Sequence, residues 1–308
     1  MPKTALVTGG AGFVGSHLVD ALVAKKWEVV VLDDLSSGRR ANVHPAATLK
    51  RLDIRSPRAA AFLARVRPQA VFHLAAQISV VASVKDPLKD EAANIQGTLR
   101  LLEAARVARV KRFIFTGTGG ALSSEHTVLP TNEAHAAAPS SPYAIAKVAA
   151  ERYGAFFRTA HGLPFVAYRP ANIYGPRQSP HGEAGVVAIF CKRMLAGEPV
   201  RIHGTGKQTR DYVYVGDVVS ALLTSLTHPK LEGPFHVGTG KETSVNDLFR
   251  RLAHLAHYQK RPGRGPADIG APTRSALDSS VLRQATGWAP QTALSEGLRE
   301  TLAWFQTQ

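Results

Sequence analysis

Cysteine, long apolar runs and acidic side chains are all scarce in this sequence, and each scarcity excludes a class of protein. The single cysteine, Cys191, excludes an intramolecular disulfide and is typical of a reducing compartment. Because no reactive motif surrounds it, we interpret Cys191 as a small buried hydrophobic residue. No stretch approaches the roughly 18 apolar residues of a membrane-spanning helix, and "MPKTALVTGG" leads into a strand rather than a secretion signal. We therefore predict a cytoplasmic protein without a membrane partner.

The shortage of acidic residues leaves the chain strongly basic. Its 38 Lys and Arg outnumber 23 Asp and Glu, which gives a formal charge of +15. Such a charge attracts nucleic acid, anionic membranes or phosphorylated small molecules. The basic residues are nevertheless scattered, as in "SGRR", "RVARVKR" and "KRPGRG", without one long basic run or interleaved aromatic residues. We interpret most of these basic residues as solvated surface, and we expect no nucleic-acid partner. A small anionic ligand would account for only a few of them.

Apolar residues make up 44% of the 308-residue chain, which is enough for an ordered protein with a substantial core. In the first half, short runs rich in β-branched residues alternate with amphipathic stretches. The runs lack polar–apolar alternation, which is typical of strands covered on both faces, and regular strand–helix alternation indicates a parallel sheet. We predict an α/β fold: a Rossmann-type doubly wound parallel sheet with a smaller α+β C-terminal portion.

The pattern changes near residue 169, where Gly and Pro become more frequent and the strands shorter. We therefore predict a first domain over 1–168 and a second that is mainly 169–308, with some segments returning to the first. In the first domain we predict strands at 4–8, 28–33, 48–54, 70–75, 112–117 and 165–168, and helices at 14–26, 58–65, 94–106 and 142–159. In the second we predict helices at 185–196, 215–227, 245–257 and 294–305.

A glycine-rich turn in "TALVTGGAGFVGSHLVDAL" joins the first predicted strand to the first helix. Gly9, Gly12 and Gly15 allow a tight turn, close approach of the backbone to a pyrophosphate, and close helix–strand packing. The N-terminus of the following helix offers unpaired N–H groups to the anion. Glycine-rich turns are common, but this one follows a strand, opens a helix and precedes an acid at the end of the second strand. The first domain is thus predicted to bind a dinucleotide.

The acidic residue is Asp33 in "EVVVLDD", and it decides between two dinucleotides. A carboxylate there accepts hydrogen bonds from the adenosine ribose and repels a 2′-phosphate, which favours NAD over NADP. Arg39 and Arg40 follow and would suit that phosphate instead. Because Asp33 and Asp34 precede them, we predict NAD as the cofactor.

Asp53 and Ile54 end the run "LKRLDI", where an adenine edge would lie. A carboxylate at such a position can equally cap the end of its strand, and the sequence leaves both roles for Asp53 open.

The segment "SSPYAIAK" supplies residues for acid–base chemistry. Ser141 is a suitable N-cap and Pro142 a suitable first helical residue, so Tyr143 and Lys147 lie one turn apart on the same helix face. A neighbouring ammonium and a positive nicotinamide ring favour the phenolate, so we predict a lowered pKa for Tyr143. The phenolate can then take a proton from a substrate alcohol while hydride leaves the same carbon. A Tyr and a Lys four residues apart often form no more than a pair of surface residues. Because the nucleotide-binding motif accompanies them here, we interpret Tyr143 and Lys147 as catalytic.

Together these motifs resemble the extended short-chain dehydrogenase/reductases, and within them the UDP-glucose 4-epimerase group. The matching segments are "GGAGFVGSHL", "VVVLDDLSSG", "VFHLAAQISV", "NIQGTLRLLEAA", "SPYAIAK", "RPANIYGPRQ", "GEAGVVAIF" and "GTGKQTRDYVYVGDV". The resemblance implies an NAD-dependent epimerase that inverts C4 of a UDP-hexose such as UDP-glucose or UDP-galactose. It also implies a homodimer formed through 94–106 and 142–159, although the apolar faces of these helices could equally pack on the sheet.

The resemblance also assigns individual contacts. Beyond Gly9, Gly12, Gly15, Asp33 and Asp53, the expected NAD contacts are Phe13, Val14, Asp34, Ser37, Gly38, Ile54, Leu74, Ala75, Ala76, Gln77, Asn94, Tyr143 and Lys147. Those expected for the nucleotide sugar are Thr118, Tyr143, Asn172, Val186, Arg201, His203 and Arg210, with no metal site. Plainer roles are a turn for Asn172, solvated surface for His203 and an ion pair with Asp211 or Asp217 for Arg210.

The segment "FIFTGTGG" decides which reaction follows oxidation at C4. Relatives that eliminate water or lose carbon dioxide resemble one another in carrying an acid at this strand tip, whereas this chain has Thr118 followed by Gly119 and Gly120. Thr118 can hydrogen-bond the C4 oxygen beside Tyr143, with Thr116 as the alternative, but neither can protonate a leaving hydroxyl. The missing acid favours epimerisation, in which hydride returns to the other face of the sugar.

Two segments depart from the family pattern. Ser123 and Ser124 replace the usual Tyr-Gly, which widens or softens the wall near the substrate. The Arg-Pro-Gly at 261–263 is not followed directly by the usual Asp, and the residues nearest the expected register, before Ser275, are Asp268, Gly270 and Ala271. Either an insertion displaces this arm, or nucleotide binding depends more on Arg210 and Arg274.

Two alternatives to this function remain open at the level of sequence. Arg177 and Arg193 could accommodate a C6 carboxylate, as in a UDP-glucuronate 4-epimerase, and another NDP-sugar could replace the UDP-hexose. A protein of a different class, a non-catalytic NAD-binding sensor, would not need the Tyr143–Lys147 pair.

Overall fold

The framework of the fold is a β-sheet of seven strands in the computed structural model, which describes residues 3–120, 128–181, 185–266 and 273–308. The described strands are β1 Thr4–Thr8, β2 Glu28–Asp33, β3 Thr48–Arg51, β4 Ala70–His73, β5 Arg112–Thr116, β6 Phe165–Pro170, β7 Asn172–Tyr174, β8 Arg201–His203, β9 Thr209–Arg210, β10 Tyr212–Tyr214, β11 Phe235–Val237, β12 Thr243–Ser244 and β13 Gly263–Gly265.

The order of the large sheet is β11-β6-β5-β4-β1-β2-β3, and the neighbouring strands from β6 to β3 are parallel. Strands β1, β2, β4 and β5 are buried almost throughout, because helices cover both faces of such a sheet. The order reverses beside β1, as in doubly wound nucleotide-binding sheets. The predicted Rossmann-type α/β fold is confirmed.

Helices connect the strands and begin at residues suited to that position. The side chains of Ser56, Ser79, Asp86, Ser141 and Ser244 each accept a hydrogen bond from a backbone N–H in the first turn. The helices are α1 Phe13–Ala24, α2 Pro57–Val66, α3 Val80–Lys85, α4 Pro87–Glu91, α5 Gly97–Val107, α6 Pro142–His161, α7 Val186–Leu195, α8 Val215–Thr227, α9 Val245–Leu255, α10 Ser280–Thr286 and α11 Leu294–Gln306.

The segment that follows β4 differs from the expected simple helix. It contains α3 and α4, and a π-helical turn over Ala92–Gln96 joins α4 to α5. Such wide turns are rare and recur at functional sites. None of the described helices combines the length and apolar character needed to cross a bilayer.

The chain forms two compact units that interleave in sequence. Unit 1 comprises Met1–Thr118, Ser141–Arg169 and Val219–Phe235; unit 2 comprises Gly119–Ser140, Pro170–Val218 and His236–Gln308. Most of α8 therefore belongs to unit 1. The predicted domains, 1–168 and 169–308, stay a prediction, because compactness alone does not show that either unit folds independently.

Each unit has its own apolar core. In unit 1, the rings of Phe113 and Phe115 stack on Phe165 with centroid separations of 6.0 and 6.1 Å. In unit 2, α7, α9 and α11 pack together, and the rings of Phe190 and Phe249 meet edge to face at 5.9 Å. Cys191 is fully buried in this second core, as the sequence predicted.

Candidate functional site

The glycine turn of unit 1 is shaped for close approach of another backbone or an anion. Gly9 has a φ of +72°, and a Cβ at this position would lie 2.7 Å from the backbone nitrogen of Ala75. A Cβ at Gly15 would lie 2.1 Å from the carbonyl oxygen of Gly9. No larger residue fits at either position. Gly12 is the N-cap of α1, and the described residues provide no side chain that caps this helix and no acid in its first turn. The free N–H groups fit a pyrophosphate.

Asp33 stands beside this turn at the end of β2. Its side chain is only 7% exposed, and its two oxygens accept hydrogen bonds from the N–H groups of Ala11 (2.9 Å) and Leu35 (2.8 Å). Burial raises the pKa of Asp33, and these backbone donors oppose the shift. The carboxylate is therefore fixed against the cradle with lone pairs left for ribose hydroxyls, which fits NAD.

The loop after Asp33 supports the same corner. Asp34 accepts hydrogen bonds from the N–H and hydroxyl of Ser36 and so shapes the turn, while Ser37 is exposed. A Cβ at Gly38 would lie 2.9 Å from Ala11, so the loop passes directly over the cradle. Phe13 and Val14 are half-buried in the first turn of α1.

Asp53 is engaged by its own neighbour. Its carboxylate accepts hydrogen bonds from the backbone and guanidinium of Arg55, which lower the pKa of Asp53. Asp53 thus caps the end of its own strand, which is one of the two roles that the sequence left open. Its contact with adenine, the other role, stays a prediction. Ile54 is buried next to Gly97, where a Cβ would lie 2.9 Å from Ile54 Cδ1.

Asn94 holds the loop that follows β4. Its Oδ1 accepts a hydrogen bond from Gln77 N–H and its Nδ2 donates to the Gln77 carbonyl, each at 2.9 Å. Asn94 is buried in the π-helical turn, whereas Leu74, Ala75, Ala76 and Gln77 are half-buried. The structure thus brings the predicted loop residues and Asn94 together, and Asn94 acts on the loop backbone.

A buried hydrogen-bond chain beneath this loop was not predicted. Thr98 donates its hydroxyl proton to the carbonyl of Asn94 (2.7 Å), so it must accept at 2.9 Å from His73 Nε2–H. His73 Nδ1 therefore accepts from the Thr8 hydroxyl (2.7 Å), whose oxygen accepts from Ala75 N–H (3.2 Å). Every member of the chain is satisfied only when the imidazole is neutral. Burial accordingly lowers the pKa of His73 to about 3.

Tyr143 meets Thr118 at the start of α6. Ser141 caps this helix by accepting from Ala144 N–H, and the Tyr143 N–H donates to the Ser83 hydroxyl at 3.1 Å. The phenol of Tyr143 is hydrogen-bonded to the Thr118 hydroxyl. The structure thus pairs Tyr143 with Thr118, while Thr116 Oγ1 is buried without a hydrogen-bond partner among the described residues.

The protonation of Tyr143 differs from the predicted lowered pKa. Burial raises the pKa of Tyr143 to about 12, and the hydrogen bond to Thr118 only partly opposes it. Asp90 adds a further negative field. The protein's own groups therefore stabilise the phenol rather than the phenolate, because desolvation outweighs the neighbouring donor.

Lys147 is buried one turn further along α6. Its Nζ lies 4.5 Å from the centroid of the Phe115 ring, and only 5% of the residue is exposed. Burial lowers the pKa of Lys147 to about 8, and Asp90 and Glu151 oppose the shift. Glu151 itself is buried and receives two hydrogen bonds from the Arg169 guanidinium, at 2.9 and 2.6 Å.

Unit 2 contains the residues expected to bind a nucleotide sugar. Asn172 begins β7 with an exposed side chain, and a Cβ at Gly120 would lie 3.2 Å from its Oδ1. Val186 begins α7 and packs against the second core. Arg201 and His203 are the exposed ends of β8. Their assignment to the substrate stays a prediction.

The two remaining arginines flank one small sheet of unit 2. Arg210 is half-buried on β9, which pairs with β12, and donates to the Thr209 carbonyl at 2.8 Å. Arg274 is largely exposed and donates from Nε to Glu242 at 2.9 Å. Asp211 accepts hydrogen bonds from Thr239, Gly240 and Leu277. Residues 123, 124, 268, 270 and 271, on which the departures from the family pattern fall, lie outside the described residues.

Comparison with known proteins adds independent information. Residues 5–238 match the NAD dependent epimerase/dehydratase family. A UDP-glucose 4-epimerase of Mycolicibacterium smegmatis is 45% identical over 308 residues, covering 98% of this chain and 98% of the relative. The crystal structure of the Thermotoga maritima UDP-glucose 4-epimerase with UDP-glucose has a TM-score of 0.96 at 45% identity, covering 99% of each chain. The NAD complex of the Thermus thermophilus UDP-glucose 4-epimerase has a TM-score of 0.92 at 41% identity, covering 98% of this chain and 99% of the other.

The Rossmann-type sheet, the glycine cradle and the buried Tyr143–Lys147 pair define a dinucleotide-dependent enzyme of the short-chain dehydrogenase/reductase class. Within that class, the chain belongs to the NAD dependent epimerase/dehydratase family. The resemblance inferred from the sequence motifs is thereby confirmed.

Proposed function

We infer that this chain is an NAD-dependent UDP-glucose 4-epimerase, which interconverts UDP-glucose and UDP-galactose. The observation that carries this function is the hydrogen bond between Thr118 and Tyr143, with Lys147 buried one turn along the same helix. The relatives at 45% identity over almost the full chain are UDP-glucose 4-epimerases. The alternative of a non-catalytic sensor is not favoured, because the catalytic residues are intact and assembled.

Each catalytic residue has a distinct task. Tyr143 accepts the proton of the C4 hydroxyl, and Thr118 orients that hydroxyl by a hydrogen bond to its oxygen. Lys147 supplies positive charge beside the phenol and would hold the nicotinamide ribose. The chemistry that NAD supplies when bound is reversible hydride transfer at C4, with a positive ring that favours the phenolate. Because burial, outweighing the Thr118 hydrogen bond, raises the pKa of Tyr143 to about 12, this added positive charge is needed for activity near neutral pH.

The outcome of the reaction follows from what surrounds Thr118. Gly117, Gly119 and Gly120 adjoin it in sequence and carry no acid that could protonate a leaving group. The absence of an acid at these positions supports return of the proton from Tyr143 and renewed reduction of the 4-keto sugar. Reduction on the opposite face inverts C4.

The nucleotide portion of the substrate is proposed to bind to residues of unit 2. Arg210 is the group proposed to neutralise the diphosphate, since a guanidinium offers a bidentate fork. Asn172, Val186, Arg201, His203 and Arg274 complete the proposed nucleotide-sugar contacts. The bidentate pairing of Arg274 with Glu242 supports a secondary role for Arg274, because that guanidinium already has a carboxylate partner.

Turnover with defined sugars tests this function. Purified protein with NAD is incubated with UDP-glucose or UDP-galactose, and the sugars are resolved by anion-exchange chromatography. We expect both to reach the same equilibrium mixture. UDP-glucuronate tests the uronate alternative, and dTDP-glucose tests the nucleotide. Conversion of either in the absence of any conversion of the UDP-hexoses would contradict the proposed substrate.

A homodimer is the proposed assembly, and α6 is its proposed interface. Ile145, Tyr153 and Phe156 are 52%, 42% and 53% exposed at helical spacing on one face of α6. On α5 the apolar face packs within unit 1, and the exposed residues are charged except for Val107 at its end. Light scattering should give a dimer mass that Phe156→Glu lowers and the control Arg299→Glu, at an exposed position of α11, does not. We propose a cytoplasmic location on the ground of the single cysteine.

A further inference from the structure

Asp90 is a buried carboxylate that the proposed mechanism does not use. It lies on α4 and is only 1% exposed. Its Oδ1 accepts hydrogen bonds from Gln77 Nε2 (2.7 Å) and Asn94 Nδ2 (3.0 Å). Its Oδ2 is buried and has no hydrogen-bond partner among the described residues. Burying a carboxylate costs free energy when one of its oxygens accepts no hydrogen bond. A nearby cation is the usual compensation for such a buried charge.

The nearest cation in electrostatic terms is Lys147, on the helix that packs against α4. The charge of Lys147 opposes the rise that burial causes in the pKa of Asp90, and Asp90 is the leading charge that opposes the fall in the pKa of Lys147. The geometric basis is that both side chains are buried in unit 1 on two helices, α4 and α6, that pack against each other.

The other groups around Lys147 cannot replace Asp90. On α6, Glu151 is already bound by the Arg169 guanidinium of β6, and Tyr143 is a neutral phenol. His73 of β4 is held neutral, and Phe115 of β5 presents only its ring. Among the described groups that face Lys147, Asp90 is thus the carboxylate whose charge no arginine neutralises.

We propose that Asp90 is a positioning residue of the catalytic site: its buried carboxylate offsets the buried charge of Lys147 across the α4–α6 contact, while its Oδ1 clamps Gln77 and Asn94. One carboxylate thereby couples the charge beside Tyr143 to the loop expected to line the dinucleotide. The inference rests on the proposed function, since it gives Lys147 its importance.

The substitution Asp90→Asn tests the negative charge of Asp90 separately from its hydrogen bonds to Gln77 and Asn94. An Asn carbonyl oxygen can still accept from Gln77 and Asn94, so the loop is retained while the negative charge is lost. Glu91→Gln on the same short helix is the matched control, because Glu91 contacts Gln96 near the surface. The direct readout is a pH titration of lysine ¹³Cε NMR signals in the NAD-loaded protein, with the Lys147 signal assigned by its loss in Lys147→Arg.

We expect the midpoint of Lys147 to fall by about one pH unit in Asp90→Asn, the shift typical of losing one close opposite charge, and to stay unchanged in Glu91→Gln. An unchanged midpoint in folded Asp90→Asn would overturn the proposal. If Asp90→Asn does not fold, the reciprocal measurement decides: the carboxyl midpoint of Asp90 should rise in Lys147→Met relative to the wild type, and an unmoved midpoint overturns the proposal.

Turnover gives the second readout. The alkaline limb of the kcat/KM profile should move to lower pH by about one unit in Asp90→Asn, with less than about a threefold change near pH 6, where Lys147 is charged in both proteins. A uniform loss at every pH would indicate a structural clamp only and contradict the charge role. Because the NMR titration needs no substrate, absent epimerase activity in the wild type would refute the proposed function without touching this inference.

Discussion

The buried imidazole of His73 makes a quantitative prediction about acid stability. In the folded protein His73 is neutral, with its pKa lowered from 6.5 to about 3, whereas the unfolded chain binds a proton near the ordinary value. Between these two values the unfolded state carries more protons, so each fall in pH favours unfolding. Stability is therefore intact above about pH 6.5 and is lost progressively below it.

The size of the effect follows from the two values. At about pH 5 the unfolded histidine is almost fully protonated and the folded one is not, which corresponds to a loss of roughly 2 kcal/mol in the free energy of unfolding relative to about pH 8. The result depends little on the folded value as long as that value lies well below the pH of the measurement.

Urea denaturation at about pH 8 and about pH 5 measures this loss. His73→Gln keeps one donor and one acceptor for Thr98 and Thr8 but does not titrate, so its loss between the two pH values should be smaller than that of the wild type by about 2 kcal/mol. His254→Gln, which replaces an exposed histidine, serves as the control. Equal pH dependence in the wild type and His73→Gln would refute the neutral, fully bonded imidazole.

Three further predictions follow from the site. Tyr143→Phe should lower kcat by about 10²–10⁴-fold, the range for a lost general base, with NAD binding retained in a fluorescence titration; an equal loss in Tyr153→Phe would point to a global defect. Gly15→Ala should abolish NAD binding, because its Cβ would lie 2.1 Å from a carbonyl oxygen; undiminished NAD affinity would show that the turn is not the pyrophosphate cradle. Glu151→Gln should destabilise the fold by roughly 3–5 kcal/mol in urea, because it leaves the Arg169 charge buried and unpaired; a change below about 1 kcal/mol would mean that water reaches the guanidinium.

The framework of unit 1 could be predicted because its signals are local. Strands β1, β2, β4 and β5 are short runs rich in apolar, β-branched or aromatic residues, and β1 and β2 match their predicted bounds. The start of α6 could also be predicted, because the Ser141 cap and Pro142 fix where the helix begins. The start of the helix in turn determines which face carries Tyr143 and Lys147.

The residues that sequence reasoning missed act over long separations. His73 joins Thr8 and Thr98, which lie 65 and 25 residues away, and Asp90 binds Gln77, 13 residues away. No periodicity records such contacts. The single available signal was an acid four residues before Asn94 within a helical pattern. The rise that burial causes in the pKa of Tyr143 was not visible for a related reason, since burial is a property of the folded chain.

The interleaving of the two units in sequence could be predicted only in part. Segments returning to the first domain were predicted, but the assignment of Gly119–Ser140 to unit 2 depends on partners such as Pro170, which accepts from Gly119 N–H at 2.9 Å. A glycine pair and a loop give no local sign of their distant partners.

The wide turn at Ala92–Gln96 allows this part of the chain to absorb a change of length. A π-helical turn holds about one residue more than an α-turn while making the same full rotation. Deleting one residue within it would therefore leave a regular helix with the segment that carries Asp90 in nearly the same orientation. The extra residue instead determines the direction of Asn94, whose side chain binds the backbone of Gln77 from within this turn.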